Sequence, residues 1–314
     1  MTEPPAAPIP LYDRLGWRRH RQRAARQGAI DFLHREIGER LLERLDDVVK
    51  GFPTALDLGA RDGSLARALS ARPGTEQAVA AEPAAAFAAT CPGMRVVADP
   101  ELIPFREASL DLVVSNLVLH WVADLPGALA QLHRALKPDG LLLAAMLGGN
   151  TLTELRTTLF EAELAEEGGV SPRVSPGIAL ADAAALLQRA GFAMPVADAE
   201  TITVTYPDAL ALMRELRGMG ETNALAERRR SLSRRGTFAR AAALYAERFG
   251  LANGSIPATF EIVFLTGWAP APGQPQPLRP GSARYRLADA LGPTPPHSRS
   301  RSIATSGLSA GGIG

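Results

Sequence analysis

The chain has 314 residues, of which 46% are hydrophobic and 21% charged, and its formal net charge is +1. This length has room for one large domain or two small ones, and the charge gives no bulk attraction to nucleic acid or to an anionic membrane. The single cysteine, Cys91, excludes an internal disulfide framework. The five histidines show no metal-ligand spacing, so no metal site is predicted.

The N-terminus has no apolar signal core, and no apolar run approaches the roughly 20 residues that span a bilayer. We therefore expect a cytoplasmic protein without a transmembrane segment, and peripheral membrane association stays open. Residues 1–10 are proline-rich, and residues 11–27 carry a dense run of basic side chains. The apolar spacing of residues 30–49 predicts a helix.

Beyond Pro53, short apolar runs alternate with helical patterns, which is typical of a parallel sheet covered on both faces. The predicted strands are 54–58, 77–81, 94–98, 110–115 and 140–146. The predicted helices between them are 64–71, 83–89 and 124–136. Residues 137–140 (KPDG) supply turn chemistry between the last helix and strand.

The second half is richer in helical patterns. Helices are predicted at 152–165, 178–190, 209–217 and 237–249, and strands at 201–205 and 257–268. The chain thus divides into a basic, helical extension (1–49), an α/β domain (50–268) with helical insertions at about 150–190 and 207–249, and a tail (269–314). The tail is rich in Pro, Gly and Arg, and we predict that it is disordered.

A glycine-containing loop follows the first predicted strand, with the spacing Asp57-x-Gly59-x-x-x-Gly63. Glycine permits positive φ and a close approach of the backbone to a ligand, and N–H groups at a helix start attract a carboxylate or phosphate. This spacing suits the amino-acid moiety of S-adenosylmethionine (SAM) better than a pyrophosphate. The alternative is a glycine turn that binds no ligand.

Two further acids stand at the ends of the next two strands. Glu82 can accept both ribose hydroxyls, and Asp99 can accept the adenine amino group while Leu102 and Ile103 pack on the ring. Either acid alone could be a solvated strand-end residue. Three carboxylates at successive strand ends, at the edge where open α/β sheets bind ligands, together predict SAM binding.

Several segments resemble the type-11 class I methyltransferase domain. They are residues 102–105 (LIPF), 110–121 (LDLVVSNLVLHW) and 136–140 (LKPDG), and the resemblance spans residues 50–147. It implies a Rossmann-like α/β fold with a seven-stranded, mostly parallel sheet, helices on both faces, and an antiparallel last strand, here 258–268.

A narrower set of motifs is similar to the methyltransferase-like assembly factors of respiratory complex I, a family that also resembles the malonyl-carrier-protein methyltransferase of biotin synthesis. The motifs are 120–126 (HWVADLP), 148–156 (GGNTLTELR), 168–172 (GGVSP), 218–223 (GMGETN) and 254–259 (GSIPAT). The assembly-factor family includes a member implicated in hydroxylating an arginine of a peripheral-arm subunit. The resemblance therefore implies a protein substrate, with a subunit of that arm as the candidate, which is methylated or hydroxylated during complex I assembly.

Two other functions stay open at this point. The chain could transfer methyl groups to a small molecule or to a malonyl-type thioester on a carrier protein, or it could be a SAM-binding chaperone without catalytic activity. One residue departs from the general loop Asp-x-Gly-x-Gly-x-Gly, because Arg61 replaces the middle glycine. Its side chain either pairs with the cofactor carboxylate or points to solvent.

His120 and Trp121 follow the fourth strand, where a substrate would meet the cofactor. His120 could accept a proton, and Trp121 could stack on adenine or hold a guanidinium. Asn116 could orient a polar group of the substrate. The alternative is a packed His–Trp pair with Asn116 as a turn residue.

The glycine-rich segment 218–223 carries Glu221 and is predicted to be a lid or a partner-binding element. The basic stretches 18–26 and 228–235 could dock an acidic protein surface or RNA, although such runs more often form a solvated face. They lack interleaved aromatic residues, so we predict no nucleic-acid-binding domain.

Overall fold

The computed structural model describes residues 10–274, so the predicted tail lies outside the described residues from 275 onward. Within 10–274 the chain forms helices and a single sheet. The helices are α1 (Arg14–Arg26), α2 (Phe32–Asp46), α3 (Ser64–Ser70), α4 (Ala85–Ala88), α5 (Leu125–Ala135), α6 (Thr153–Glu167), α7 (Leu180–Arg189), α8 (Ala209–Met219) and α9 (Arg235–Phe249). The strands are β1 (Thr54–Leu58), β2 (Gln77–Ala81), β3 (Met94–Val96), β4 (Leu110–Asn116), β5 (Leu136–Leu147), β6 (Ala193–Tyr206) and β7 (Ile256–Trp268).

The seven strands lie in the order β3-β2-β1-β4-β5-β7-β6. Strands β1 to β5 pair in parallel, and β7 runs antiparallel to both β5 and β6. The predicted class I arrangement with an antiparallel last strand is therefore confirmed. The strand order reverses between β1 and β4, which is where open α/β sheets bind their ligands.

Alternate residues of each central strand face opposite sides of the sheet and build two cores. On β5, Leu142 and Ala144 belong to one core, while Leu143 and Ala145 belong to the other. Helices α5 and α7 cover the first face, and α2, α6, α8 and α9 cover the second. Trp17 of α1 is fully buried in the first core.

Three elements differ from the sequence prediction. Strand β6 begins at Ala193 rather than at 201, because it is an edge strand whose first residues shift register around Pro195 and lack a continuous apolar run. Strand β5 begins at Leu136 rather than at 140, and residues 137–140, predicted as a turn, lie within it at a shift of its register with β4, with Asp139 at φ +64°. Helix α1 lies within the basic run, which has few apolar residues to mark a buried face.

The start of α1 is set by Asp13, whose carboxylate accepts the main-chain N–H of Gly16 at 2.8 Å. Arg228 donates to the same carboxylate at 2.6 Å and ties it to the segment after α8. Among the helices of residues 10–274, none combines the length and apolarity that crossing a bilayer requires.

Candidate active site

The loop between β1 and α3 places Asp57 at the centre of the carboxyl edge of the sheet. Its side chain is fully buried, and Oδ2 accepts the N–H of Ala66 at 2.9 Å. Oδ1 has no hydrogen-bond donor within residues 10–274. Burial raises the pKa of Asp57 to about 8, and the nearby carboxylate of Glu82 adds to this effect.

The raised pKa of Asp57 predicts a pH-dependent stability. The unfolded carboxyl has a pKa of about 3.9, so between about pH 4 and pH 8 the folded protein holds a proton that the unfolded chain has lost. The contribution of this carboxyl to the free energy of unfolding therefore falls as pH rises, by up to about 1.4 kcal/mol per pH unit. In parallel urea titrations, the free energy of unfolding of Asp57→Asn minus that of wild type should therefore increase by this amount from about pH 6 to about pH 7. A difference that is the same at both pH values would contradict the prediction.

Gly59 has φ +84°, and a Cβ there would lie 2.6 Å from Cβ and Cγ1 of Val118. Gly63, at φ +75°, begins α3 and lies against Cys91 and Pro92. Both predicted glycines are thus required by the backbone conformation and by close packing.

Left-handed strain alone costs an alanine about 1–2 kcal/mol. We expect Gly59→Ala to lower the free energy of unfolding by more than this, because Val118 must also shift. Gly93→Ala is the matched control: Gly93 has φ +71°, but nothing lies within 4 Å of its Cβ position. Thermal unfolding of both variants checks the prediction, which fails if the two losses are equal.

Glu82 is fully buried after the end of β2, and its carboxylate is held by Arg21 of α1. Nε of Arg21 donates to Oε1 at 3.0 Å, and Nη2 donates to Oε2 at 2.7 Å. The main-chain N–H groups of Arg61 and Ala84 also donate to this carboxylate. The predicted acceptor of the ribose hydroxyls is therefore saturated by protein donors in this arrangement.

Asp99 is engaged by the same helix. Arg14 and Arg18 both pair with its carboxylate, the second at 2.6 Å. Burial raises the pKa of Asp99, but the N–H of Glu101 and the two guanidinium groups outweigh this and hold the pKa below its usual range. Leu102 is 72% exposed, so its predicted packing on an adenine ring has no counterpart among the contacts of this arrangement.

Arg61 is buried at φ +49°, a left-handed conformation that glycine adopts without strain. Its guanidinium donates to the carbonyl of Met219 at 2.8 Å and to the carbonyl of Ile30 at 3.1 Å, and it lies over the ring of Phe87. The predicted alternative in which Arg61 points to solvent is therefore wrong. Burial, followed by the charge of Arg21, lowers the pKa of Arg61 to about 10.

A cavity of about 230 Å³ lies beside the loop, between β1, α2 and the end of β4. Asp57, Arg61, His34 and Asn116 are among its lining residues. The amide of Asn116 donates to the carbonyl of His34 at 2.7 Å, while its Oδ1 has no donor within residues 10–274. Asn116 thus positions α2 and offers an acceptor beside Asp57.

His120 and Trp121 form a 3₁₀ turn after β4, and both side chains are buried. Both contact one carboxylate, that of Glu221, which the sequence did not single out as catalytic. Nε1 of Trp121 donates to Oε2 of Glu221 at 2.8 Å, and Nε2 of His120 lies 3.2 Å from the same oxygen. Burial raises the pKa of Glu221, but the hydrogen bond and charge of His120 and the guanidinium groups of Arg21 and Arg61 hold it below its ordinary value.

Glu221 reaches this position because α8 ends in a Schellman turn. Gly220 has φ +88°, its N–H donates to the carbonyl of Arg217, and the N–H of Glu221 donates to the carbonyl of Leu216. The glycine-rich segment 218–223 is thus a helix end that turns Glu221 back toward His120. Its predicted role as a lid or partner-binding element stays a prediction.

A second, larger cavity of about 370 Å³ lies on the other side of this carboxylate. Its walls are mainly apolar and come from the ends of β5 and α8, from α6 and from the loop before α7. They include Leu152, Leu155, Leu159, Met213, Leu216 and Phe260, together with His120, Trp121 and Glu221. Met219 also lines this cavity, so Arg61 connects its wall to the cavity beside Asp57.

The structure thus brings Asp57, Gly59 and Gly63 to one loop and joins His120 to Trp121 through Glu221. Sequence reasoning missed Arg21 and the role of Glu221. The helix-stop signal at 218–220 predicts a turn that re-aims the following side chain, and it was available in the sequence. No comparable signal marks Arg21 among the neighbouring basic residues.

Known proteins are similar to this chain in sequence and in fold. A methyltransferase domain family matches residues 56–144. The human mitochondrial arginine-hydroxylase NDUFAF5 is 44% identical over 286 residues, covering 89% of this chain and 83% of that protein. The chain belongs to the family of arginine-hydroxylase NDUFAF5.

One further relative and one solved structure are similar to this chain. A malonyl-[acyl-carrier protein] O-methyltransferase of Xylella fastidiosa is 36% identical, covering 83% of this chain and 89% of that protein. The crystal structure of the YcgJ protein of Bacillus subtilis shares the fold, with a TM-score of 0.52, 14% identity, and coverage of 74% of this chain and 99% of that one.

The cytoplasmic location expected from the sequence is contradicted, because NDUFAF5 relatives that match most of this chain are mitochondrial proteins. The expectation rested on the absence of a recognisable targeting segment. That absence is weak information, since location depends on signals and compartments that the folded domain does not encode.

Proposed function

We propose that this chain is a SAM-binding enzyme of the methyltransferase family that modifies an arginine of a protein substrate during the assembly of respiratory complex I. The observation that carries the proposal is the 44% identity to arginine-hydroxylase NDUFAF5 across 89% of the chain. The finer prediction of a peripheral-arm subunit as substrate belongs to this proposal. The modification is a hydroxylation or a methylation.

The residues beside Asp57 fit the amino-acid half of SAM. This half carries an ammonium group and a sulfonium, and the cavity offers two buried oxygens without donors within residues 10–274, Oδ1 of Asp57 and Oδ1 of Asn116. The guanidinium of Arg61 lines the same cavity, but its hydrogen bonds go to the main-chain carbonyls of Met219 and Ile30. When bound, SAM would supply an activated methyl group or serve a structural role.

The adenosine half fits only after α1 moves. Glu82 and Asp99 follow β2 and β3, and their carboxylates are paired with Arg21 and with Arg14 and Arg18, respectively. We therefore propose that α1 covers the cofactor site and releases these two carboxylates when SAM enters. The roles of Asp57, Gly59, Gly63, Glu82, Asp99 and Leu102 in binding the cofactor are part of this proposal.

On the substrate side, Glu221 with His120 and Trp121 supports an arginine substrate better than a malonyl thioester. The carboxylate of Glu221, whose side chain is 8% exposed, would repel the free carboxylate of a malonyl group, whereas it attracts a cation. We propose that His120 and Trp121 line the reacting site and that Asn116 positions α2 against the cofactor.

Deletion of the gene followed by mass spectrometry of complex I subunits tests the proposal. We expect one arginine-containing peptide to lose a mass increment of hydroxyl or methyl size. Re-expression of the wild-type chain should restore it, and re-expression of Asp57→Ala/Glu82→Ala should not. An unchanged set of peptide masses in the deletion strain would refute the proposal.

Two alternatives have distinct outcomes, the first in purified protein and the second in the deletion strain. Methyl transfer to a malonyl-carrier-protein thioester would identify the carrier-protein methyltransferase. A chaperone without catalytic activity is indicated if a His120→Ala/Trp121→Phe variant restores complex I assembly fully while every peptide mass in the deletion strain equals that of wild type.

A further inference from the structure

The cavity of about 370 Å³ has one carboxylate among its lining residues, that of Glu221. The side chain of Glu221 is 8% exposed. Its Oε2 is taken by Trp121 and His120, whereas Oε1 has no hydrogen-bond donor among the residues that the structure describes. A buried, ionised oxygen without a donor is costly, so this atom is suited to receive a donor from a ligand.

None of the described arginines around the cavity donates to Oε1, including Arg217, which lines the same cavity as Arg173. Arg61 favours ionisation of Glu221 by its charge, but its guanidinium donates to the main-chain carbonyls of Met219 and Ile30. Arg21 is bound to Glu82 through two hydrogen bonds. Arg173, which lines the cavity, donates to Glu163 and to Ser233.

The remaining walls set the shape and chemistry of that ligand. Leu152, Leu155, Leu159, Leu216 and Phe260 provide apolar surface beside the carboxylate. A side chain with a long apolar stem and a cationic, multi-donor end matches both features, because the stem packs on the apolar wall and the end meets the charge. The guanidinium of arginine can donate to Oε1 through two N–H groups.

We propose that Glu221 is the residue that binds the guanidinium of the substrate arginine, with its aliphatic stem in the cavity of about 370 Å³. This inference rests on the proposed function, which supplies arginine as the substrate, and it adds the site and the residue that selects it. Trp121 and His120 hold the carboxylate in place through Oε2.

Binding of two capped amino acids to the purified full-length wild-type chain tests the site without any variant. The probes are N-acetyl-arginine amide and N-acetyl-citrulline amide, which have similar shape but differ in charge. We expect the arginine probe to bind at least about tenfold more tightly than the citrulline probe in calorimetry. Equal affinities, or no binding of the arginine probe, would overturn the proposal.

Variants then assign the effect to Glu221. Glu221→Gln keeps an oxygen for Trp121 and should weaken the arginine probe by about tenfold or more, down to the affinity of the citrulline probe. Glu227→Gln is the matched control, because Glu227 is exposed and lies a few residues along the same segment. Unchanged binding of arginine in folded Glu221→Gln protein would exclude Glu221 as its partner.

Mass spectrometry in the deletion strain separates the inference from the function on which it rests. If the deletion removes a modification that both the wild-type and the Glu221→Gln chains restore equally, the proposed function stands and the role of Glu221 is refuted. If the deletion removes no modification, the proposed function fails, and the probe-binding result alone decides whether the cavity takes a guanidinium.

Discussion

Arg21→Met is expected to lower the free energy of unfolding by about 3–5 kcal/mol. Both Arg21 and Glu82 have fully buried side chains, and two hydrogen bonds of 3.0 and 2.7 Å join them. Removal of the guanidinium leaves a buried carboxylate with only the main-chain N–H groups of Arg61 and Ala84 as donors. Urea unfolding followed by circular dichroism measures the loss.

A double variant and a surface variant provide the controls. In Arg21→Met/Glu82→Gln the uncompensated charge is gone, so the loss should be clearly smaller than in Arg21→Met. Arg18→Met removes an ion pair whose arginine is 41% exposed, and it should cost less than about 1 kcal/mol. Equal losses in all three proteins would show that burial of the pair does not determine its contribution.

Arg61→Gly is expected to lower the free energy of unfolding by about 1–5 kcal/mol and to strengthen the binding of SAM. The variant loses two buried hydrogen bonds of a charged donor, each worth about 1.5–3 kcal/mol. Glycine offsets part of this loss, because it relieves about 1–2 kcal/mol of strain at φ +49°. The gain arises because the guanidinium and the sulfonium are like charges in one partly buried site. This repulsion costs on the order of 1–2 kcal/mol, or about tenfold in affinity.

Calorimetry with two ligands separates charge from space. S-adenosylhomocysteine lacks the sulfonium, so Arg61→Gly should improve its binding less than that of SAM. Arg61→Ala is the matched control, because it also removes the guanidinium but keeps a Cβ in the left-handed conformation. Weaker binding of both ligands to both variants would indicate instead that Arg61 pairs with the cofactor carboxylate.

The elements that build the sheet and the loop were predictable because their signals are local. Strand β1, Asp57 and Gly59 lie within six residues, and the placement of Glu82 and Asp99 follows from the rule that parallel strands end at one edge. The conformation of the glycines also follows from the loop, since positive φ favours this residue.

The pairings that complete the site were not predictable, because they join distant parts of the chain. Arg21 is 61 residues from Glu82, and Glu221 is 101 residues from His120. Basic residues in α1 resemble one another in sequence, and only the packing of α1 against α4 and α8 selects Arg21 for burial. Strand β6 was predicted too short for a related reason, since its first part is held by pairing with β7 rather than by its own apolar pattern.

The segment that carries Glu221 also holds α1. Thr222 accepts hydrogen bonds at its hydroxyl from Arg23 and at its carbonyl from His20, and the N–H of Asp13 donates to the carbonyl of Ala224. A ligand that displaces α1 would therefore break hydrogen bonds to the residues next to Glu221. A ligand that moves Glu221 would in turn disturb the hydrogen bonds that hold α1. Thermodynamic reciprocity requires that each ligand change the affinity of the other by the same factor, whichever of the two binds first.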